Sequence, residues 1–219
     1  MPIKEGRTYR SMPMMEFSEA KDERLLDSEY YVEGYATTFN QPYLLYRDSK
    51  GNDWYEQIDA AAFDDADMSD VIFLHNHEGK CFARNKMRKD KAPTMIMESR
   101  PGRGLFVAAD LGMIEEGREE WRAITGGLIY QMSFAFTVAE DDVQPYGDNA
   151  LLRTIRKVKK VFDVSSVDMP ANPYTSIDSE ARSAFEGYIE KQRQELFEAE
   201  QRLIEKQKAL ARIRILAES

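Results

Sequence analysis

Near the middle of the chain stands the segment Gly126-Gly127-Leu128-Ile129-Tyr130-Gln131-Met132-Ser133-Phe134-Ala135-Phe136. Its apolar residues recur at every second position, which is the period of a β-strand. One face of this strand carries Leu128, Tyr130, Met132, Phe134 and Phe136, and the other carries Ile129, Gln131, Ser133 and Ala135. The first face is wholly apolar and is predicted to be buried. Ser133 is therefore predicted to project from a rigid strand among small or polar neighbours, a placement that suits a nucleophile but also a serine that merely fills a tight position.

On both sides of this segment, from Glu29 to about Ile177, the sequence has the pattern of short strands separated by turns. β-favouring residues predict strands over 30–39, 54–58, 71–74, 128–138 and 159–167. Segments 94–98 and 104–109 are predicted to form a hairpin around Ser99-Arg100-Pro101-Gly102. Two helices are predicted, a short capped one over Asp59–Phe63 and a longer one over 115–123.

The pattern of residue types changes after Pro173. From 179 to 217 there is no proline and one glycine, and Ile189, Leu196, Leu203 and Leu210 recur every seven residues. This pattern predicts a long amphipathic helix whose stripe is narrow enough for a coiled coil. Packing along its own domain and pairing with another chain are both compatible with the stripe. The chain is thus divided into a loose N-terminal arm over 1–28, a domain over 29–177 and a helix over 178–219.

Composition narrows the class of protein. The chain has 219 residues, 42% of them hydrophobic, and a net charge of -9. An acidic chain repels phosphate backbones, which disfavours direct contact with nucleic acid. The single cysteine, Cys81, excludes an internal disulfide and fits a reducing compartment. No apolar run approaches the roughly 18 to 20 residues of a membrane span, and the first residues lack the apolar core of a signal peptide, so we expect a soluble intracellular protein.

Both histidines of the chain lie in Leu74-His75-Asn76-His77-Glu78. In an extended segment, residues two apart face the same side. Three interpretations remain open: a polar strand end without a function, a metal site completed by a carboxylate, and an acid–base role near neutral pH.

A third segment is Phe162-Asp163-Val164-Ser165-Ser166-Val167-Asp168-Met169-Pro170-Ala171-Asn172-Pro173. An unpaired buried carboxylate is costly, so Asp163 within a strand needs a partner, and a histidine is a natural one. An exposed strand position or a turn-capping role is the alternative.

Together these segments resemble the prohead (procapsid maturation) serine proteases of tailed bacteriophages, over about 32–175. The segment Val32-Glu33-Gly34-Tyr35-Ala36 is similar to the family's opening Gly-Tyr-Ala strand, and Ala62-Phe63-Asp64 to its Gly-Ala-Phe-Asp. Residues 74–78 resemble a Leu-x-Asn-His-Asp pattern, and Ser133-Phe134-Ala135-Phe136 resembles Ser-Phe-x-Phe. Residues 163–167 and Pro170-Ala171-Asn172-Pro173-Tyr174-Thr175 resemble Glu-Val-Ser-x-Val…Pro-Ala-Asn-Pro. Two departures are Ala61 in place of a glycine and Asp163 in place of a glutamate.

The resemblance implies a catalytic triad of Ser133 as nucleophile, His77 as base and Asp163 as the acid that orients it, with His75 at a variable position. No cofactor or metal is implied. Because an aspartate is one methylene shorter than a glutamate, Asp168 or a backbone carbonyl is the alternative partner of the imidazole.

The resemblance also implies an assemblin-like fold, as in the herpesvirus proteases: mainly β with helices (α+β), a small β-barrel surrounded by helices, here followed by the long C-terminal amphipathic helix. The implied substrates are the scaffold protein or the scaffolding arm of the major capsid protein, and the protease itself, inside the assembling prohead in the host cytoplasm. A homodimer or higher assembly through helices is expected, without a membrane and without direct nucleic-acid contact. The rival hypotheses are a metal-dependent hydrolase using His75 and His77, and a non-enzymatic scaffold or assembly protein.

Overall fold

The computed structural model of the protein describes residues 6–12, 24–89, 91–168 and 179–217, and this part of the chain is mixed α+β, mostly strands with two helices. The strands are β1 (Thr8–Met12), β2 (Tyr31–Thr38), β3 (Tyr43–Arg47), β4 (Asp53–Ile58), β5 (Ile72–His75), β6 (Glu78–Arg84), β7 (Met95–Arg100), β8 (Gly104–Asp110), β9 (Gln131–Pro145) and β10 (Ala150–Val167). The helices are α1 (Glu115–Thr125) and α2 (Ser179–Ala217). No described helix combines the length and the apolar character that a membrane span requires.

Strand β10 organises the larger of two sheets. The sheet has the order β1-β9-β10-β4-β3, and β5 pairs with both β10 and β6 beside this path. One edge of β10 is antiparallel to β9, whereas the other is parallel to β4 over 150–155 and to β5 over 163–166. The smaller sheet has the order β2-β8-β7. The described strands form no closed barrel, so the assemblin-like barrel stays a prediction.

The hydrophobic core lies between these elements and is rich in aromatic rings. Phe134 and Phe136 of β9 are fully buried and stack with their centroids 4.5 Å apart. Phe63 packs against Phe134, with 6.1 Å between the ring centroids. The side of β9 opposite to Ser133 is therefore anchored by large apolar side chains, which fixes the strand that carries this serine.

Several sequence predictions are confirmed. The strands predicted at 30–39, 54–58 and 71–74 correspond to β2, β4 and β5, and the predicted hairpin is formed by β7 and β8. Helices α1 and α2 lie where the periodicity placed them. Strands β9 and β10 are both longer than predicted.

The predicted helix over Asp59–Phe63 is wrong, because this segment is a series of turns. The Asp59 carboxylate accepts a hydrogen bond from the Ala61 N–H at 2.9 Å, and Ala62 and Asp64 make turn hydrogen bonds to residues three positions earlier. A side chain that bonds its own backbone two residues ahead favours a turn over a helix.

The apolar face predicted for 128–136 is only partly buried. Met132, Phe134 and Phe136 lie in the core, but Leu128 is 78% exposed and Tyr130 is 55% exposed. Both precede β9, which begins at Gln131 after the turn at Gly126 and Gly127. Strand alternation therefore does not extend to these two residues.

The contacts between residues divide the chain into two compact units, 1–178 and 179–219.

Within the segment predicted as a loose arm, Thr8–Met12 is a strand, β1, that pairs with β9. In α2, Leu196 and Leu203 of the predicted stripe are exposed. The Pro170–Thr175 motif lies outside the described residues.

Removing the Phe134 side chain is expected to lower the free energy of unfolding by about 3–5 kcal/mol, because Phe134→Ala leaves a cavity in the core. Urea denaturation followed by circular dichroism measures this loss. Leu128→Ala is the matched control and is expected to cost less than about 0.5 kcal/mol, since that side chain is exposed. Equal costs for the two variants would contradict the packing described for β9.

Candidate active site

Asp163 and Ser165 lie two residues apart on β10, and a β-bulge sets their direction. Val161 pairs with Phe136 and Asp163 pairs with Ala135, so Phe162 is an extra residue in β10. A bulge changes the direction of the side chains that follow it and is common beside functional sites. Asp163 and Ser165 are consequently buried on the same side, and Ser165 pairs in register with Ser133 of β9.

His77 lies in the tight turn that joins β5 to β6. Asn76 and His77 have positive φ angles of 48° and 62°, and His75 pairs with Glu78 across the turn. Two positive φ values in a two-residue hairpin loop define a type I′ turn, whose second position favours glycine. A histidine there is strained, and such strain is typical of residues with a functional constraint. The turn folds the imidazole back over β10, where it is 3% exposed.

The structure brings together the three residues that the sequence singled out. His77 Nδ1 lies 2.5 Å from Asp163 Oδ1, and His77 Nε2 lies 2.7 Å from Ser133 Oγ. A carboxylate only accepts hydrogen bonds, so the neutral imidazole carries its proton on Nδ1 and presents Nε2 as the acceptor for the Ser133 hydroxyl. Asp163 thus reaches the imidazole despite its shorter side chain.

Ser165 completes this cluster and was missed by sequence reasoning. Its hydroxyl donates to Asp163 Oδ1 at 3.1 Å and accepts the backbone N–H of His77 at 3.2 Å. It therefore links the strained backbone of the turn to the carboxylate that holds the imidazole. A serine in a strand carries no sequence signal for this role, although it stands two residues after Asp163 on the same strand.

The N-terminal strand β1 covers the cluster, and no sequence pattern predicted it. The ring of Tyr9 meets the His77 imidazole edge-on, with 4.7 Å between centroids. Arg7 Nη1 lies 3.7 Å from Asp163 Oδ2. The Ser133 hydroxyl has a second acceptor within reach besides His77 Nε2, the carbonyl oxygen of Arg10 at 3.0 Å. With β1 in place, Ser133 is 1% exposed.

His75 belongs to a different cluster, which corrects the expectation that both histidines face one side. His75 Nδ1 lies 3.1 Å from the carboxylate of Glu120 on α1, and His75 Nε2 lies 3.3 Å from Asp168 Oδ2. The Ser166 hydroxyl bonds the same Glu120 carboxylate. The histidines separate because His77 is in the turn and no longer follows strand alternation.

The separation of the two histidines bears on two alternatives from the sequence, Asp168 as the partner of the His77 imidazole and a metal site. Asp168 contacts His75 and the Asn76 side chain, so the carboxylate beside His77 is that of Asp163. Among the described residues, no group of three or more His, Cys, Asp and Glu side chains is arranged so that it could hold a metal ion. An open cleft of about 640 Å³ lies beside His75 and is lined by Asn76, Gly79, Phe82 and Asp168, among others.

A carboxylate, an imidazole and a hydroxyl joined in this order are the arrangement of hydrolases that use a serine nucleophile. Residues 16–188 match the family of caudovirus prohead serine proteases, and the chain belongs to this family. No curated protein and no solved structure matches the chain. The family places the protein among the serine proteases of capsid maturation, which act in the assembling procapsid of the host cell.

Asp163→Asn is expected to reverse the tautomer of His77, because an amide can donate to Nδ1 and then favours the proton on Nε2. Nitrogen-15 NMR of the neutral imidazole measures this directly. The chain has two histidines, so His75→Gln leaves a single imidazole to assign. A proton on Nε2 of His77 in the His75→Gln protein, with Asp163 intact, would contradict the hydrogen-bond directions given above.

Proposed function

We propose that the protein is a phage prohead maturation serine endopeptidase with Ser133 as nucleophile, His77 as general base and Asp163 as the residue that orients His77. The observation that carries this proposal is the pair of contacts at 2.5 and 2.7 Å that joins Asp163, His77 and Ser133. The three side chains come from separate segments, and all three are buried.

In the proposed reaction, His77 Nε2 takes the proton of the Ser133 hydroxyl as Oγ attacks a peptide carbonyl carbon. Asp163 accepts the hydrogen bond from Nδ1 and stabilises the imidazolium that forms. His77 then gives the proton to the leaving amine, and water repeats the sequence to release the acyl group. Ser165 acts as a positioning residue, since it holds the backbone of His77 and the carboxylate of Asp163 together.

The proposed substrates are the scaffold protein or the scaffolding arm of the major capsid protein, and the protease itself, within the prohead. Membership in the prohead protease family supports this capsid-assembly setting. We further propose that the protein acts as a homodimer or a higher assembly, and the exposed apolar stripe of α2 supports pairing between helices.

Ser133→Ala and His77→Ala are each expected to lower the rate of scaffold cleavage by roughly 10⁴ to 10⁶-fold, because removing either triad member removes the activated nucleophile. The measurement is co-expression of each variant with the scaffold and major capsid proteins of the same phage, followed by gel electrophoresis and mass spectrometry of the products.

His75→Ala is the matched control, since its imidazole lies in the neighbouring cluster and is expected to be dispensable for bond cleavage. Addition of a chelator is expected to leave the rate unchanged. Identical cleavage products from wild type and Ser133→Ala would refute the proposal. A rate that depends on added metal and survives Ser133→Ala would favour the metal-dependent hydrolase, whereas normal assembly without any cleavage would favour the non-enzymatic scaffold protein.

A further inference from the structure

The strand β1 lies along β9 in the manner of a bound peptide. It pairs antiparallel with the strand that carries the proposed nucleophile, and Ser11 is in register with Ser133. The carbonyl oxygen of Arg10 lies 3.0 Å from Ser133 Oγ. Addition of an extended segment to a sheet edge is a common mode of peptide recognition, in which the backbone gives affinity and the side-chain pockets give specificity.

This strand also blocks access to the site. Ser133 and His77 are 1% and 3% exposed, and the Tyr9 ring covers the imidazole. A second polypeptide therefore reaches Ser133 only after β1 has left β9. Strand β1 thus occupies the position that a substrate would take.

The side chain of Arg10 is held in a buried pocket whose floor is a carboxylate. Arg10 is 5% exposed and binds Glu56 of β4 through two nitrogens, Nε to Oε1 and Nη2 to Oε2, the second at 2.9 Å. Glu56 is fully buried, and it also accepts hydrogen bonds from the Tyr43 hydroxyl and from Arg153 Nη1. A bidentate contact of this kind fits a guanidinium better than an ammonium.

The charges around the pocket favour a cation as its occupant. Arg153 binds both Glu56 and Asp141, so among the described residues the cluster without Arg10 holds two carboxylates and one guanidinium. Burial raises the pKa of Glu56, but the charges of Arg10 and Arg153 and the hydrogen bonds from Arg10 and Tyr43 outweigh burial and hold this pKa below its ordinary value. Burial and the Glu56 charge raise the pKa of Tyr43, which stays a hydrogen-bond donor. The pocket without Arg10 therefore has one negative charge in excess and attracts a cation.

We infer that Glu56 selects an arginine on the acyl side of the scissile bond, and that β1 is bound as a substrate with Arg10–Ser11 as the bond to be cut. This inference rests on the proposed role of Ser133. It adds a specificity residue, a substrate class and a cleavage site to that role.

The covalent step needs only the groups of the site and one water molecule. A bond forms between Ser133 Oγ and the carbonyl carbon of Arg10, and the bond from that carbon to the nitrogen of Ser11 breaks. The hydroxyl proton passes through His77 to that nitrogen, which leaves as the new amino terminus. Water then hydrolyses the ester and releases a fragment that ends in Arg10.

Self-cleavage is tested by intact-mass measurement and N-terminal sequencing of the full chain. Wild type is expected to yield a chain that begins at Ser11, whereas Ser133→Ala and Arg10→Glu stay uncut at this bond. Arg10→Lys is expected to be cut more slowly, because an ammonium cannot bind Glu56 through two parallel hydrogen bonds. A wild-type chain that remains joined at Arg10–Ser11 would overturn the assignment of this bond.

Specificity is tested with fluorogenic peptides that carry arginine, lysine, alanine or glutamate before the scissile bond. Arginine peptides are expected to be preferred over alanine peptides by about 100-fold in kcat/KM, and Glu56→Gln is expected to remove most of this preference. Asp70→Asn is the matched control, because Asp70 also binds an arginine, Arg84, but on the surface. Circular dichroism verifies that Glu56→Gln is folded.

Arg10→Glu tests the same pocket without altering it. The introduced carboxylate is repelled by Glu56, so β1 no longer competes. Hydrolysis of arginine peptides is expected to start faster than in wild type whose Arg10–Ser11 bond is still intact. Scaffold cleavage that requires Ser133 but shows no preference for arginine would overturn the specificity inference and leave the proposed function intact. Absence of cleavage of every substrate would instead refute the proposed function.

Discussion

Strand β10 makes backbone hydrogen bonds along both of its edges, and this ladder sets the positions of the groups around Ser133. Its antiparallel contact with β9 brings Ser165 opposite Ser133, and its parallel contact with β5 brings the turn that carries His77 over the same place. Its other end pairs with β4, which contributes Glu56 next to Arg153. One strand therefore fixes the proposed reacting groups and the proposed specificity pocket relative to each other, which is the preorganisation that catalysis requires.

The geometry at His77 is obtained at an energetic cost. A residue other than glycine in the left-handed region is disfavoured by roughly 1–2 kcal/mol. The backbone N–H of His77 bonds Ser165, its imidazole is held between Asp163 and Ser133, and the neighbouring Asn76 N–H bonds the Ser166 carbonyl at 2.9 Å. These contacts keep the turn in its strained form, so the imidazole has little freedom to move away from the hydroxyl.

The amount that could be predicted from the sequence differs between the elements and the site. Alternation predicted most strands, and the spacing of apolar residues predicted α1 and α2, because these periods follow directly from backbone geometry. They failed within β10, where Ile155, Val158, Val161 and Val164 are all in the core at intervals of three, since bulges interrupt the alternation. The grouping of His77, Ser133 and Asp163 came from the family resemblance, whereas the residues alone left other partners open. Arg10 and Glu56 are 46 positions apart, and no local pattern connects them.

The edge of β9 that β1 occupies bears on which proteins the proposed protease could digest. Under the proposed function, a substrate that replaces β1 there has to present several consecutive residues in the extended form, with free backbone groups. A helix or a well-packed loop meets this condition only after it has opened, and the free energy of that opening is added to the barrier. Folded capsid shells would then resist digestion while unstructured arms are trimmed. Discrimination between the two would arise from the stability of the target as much as from its side chains.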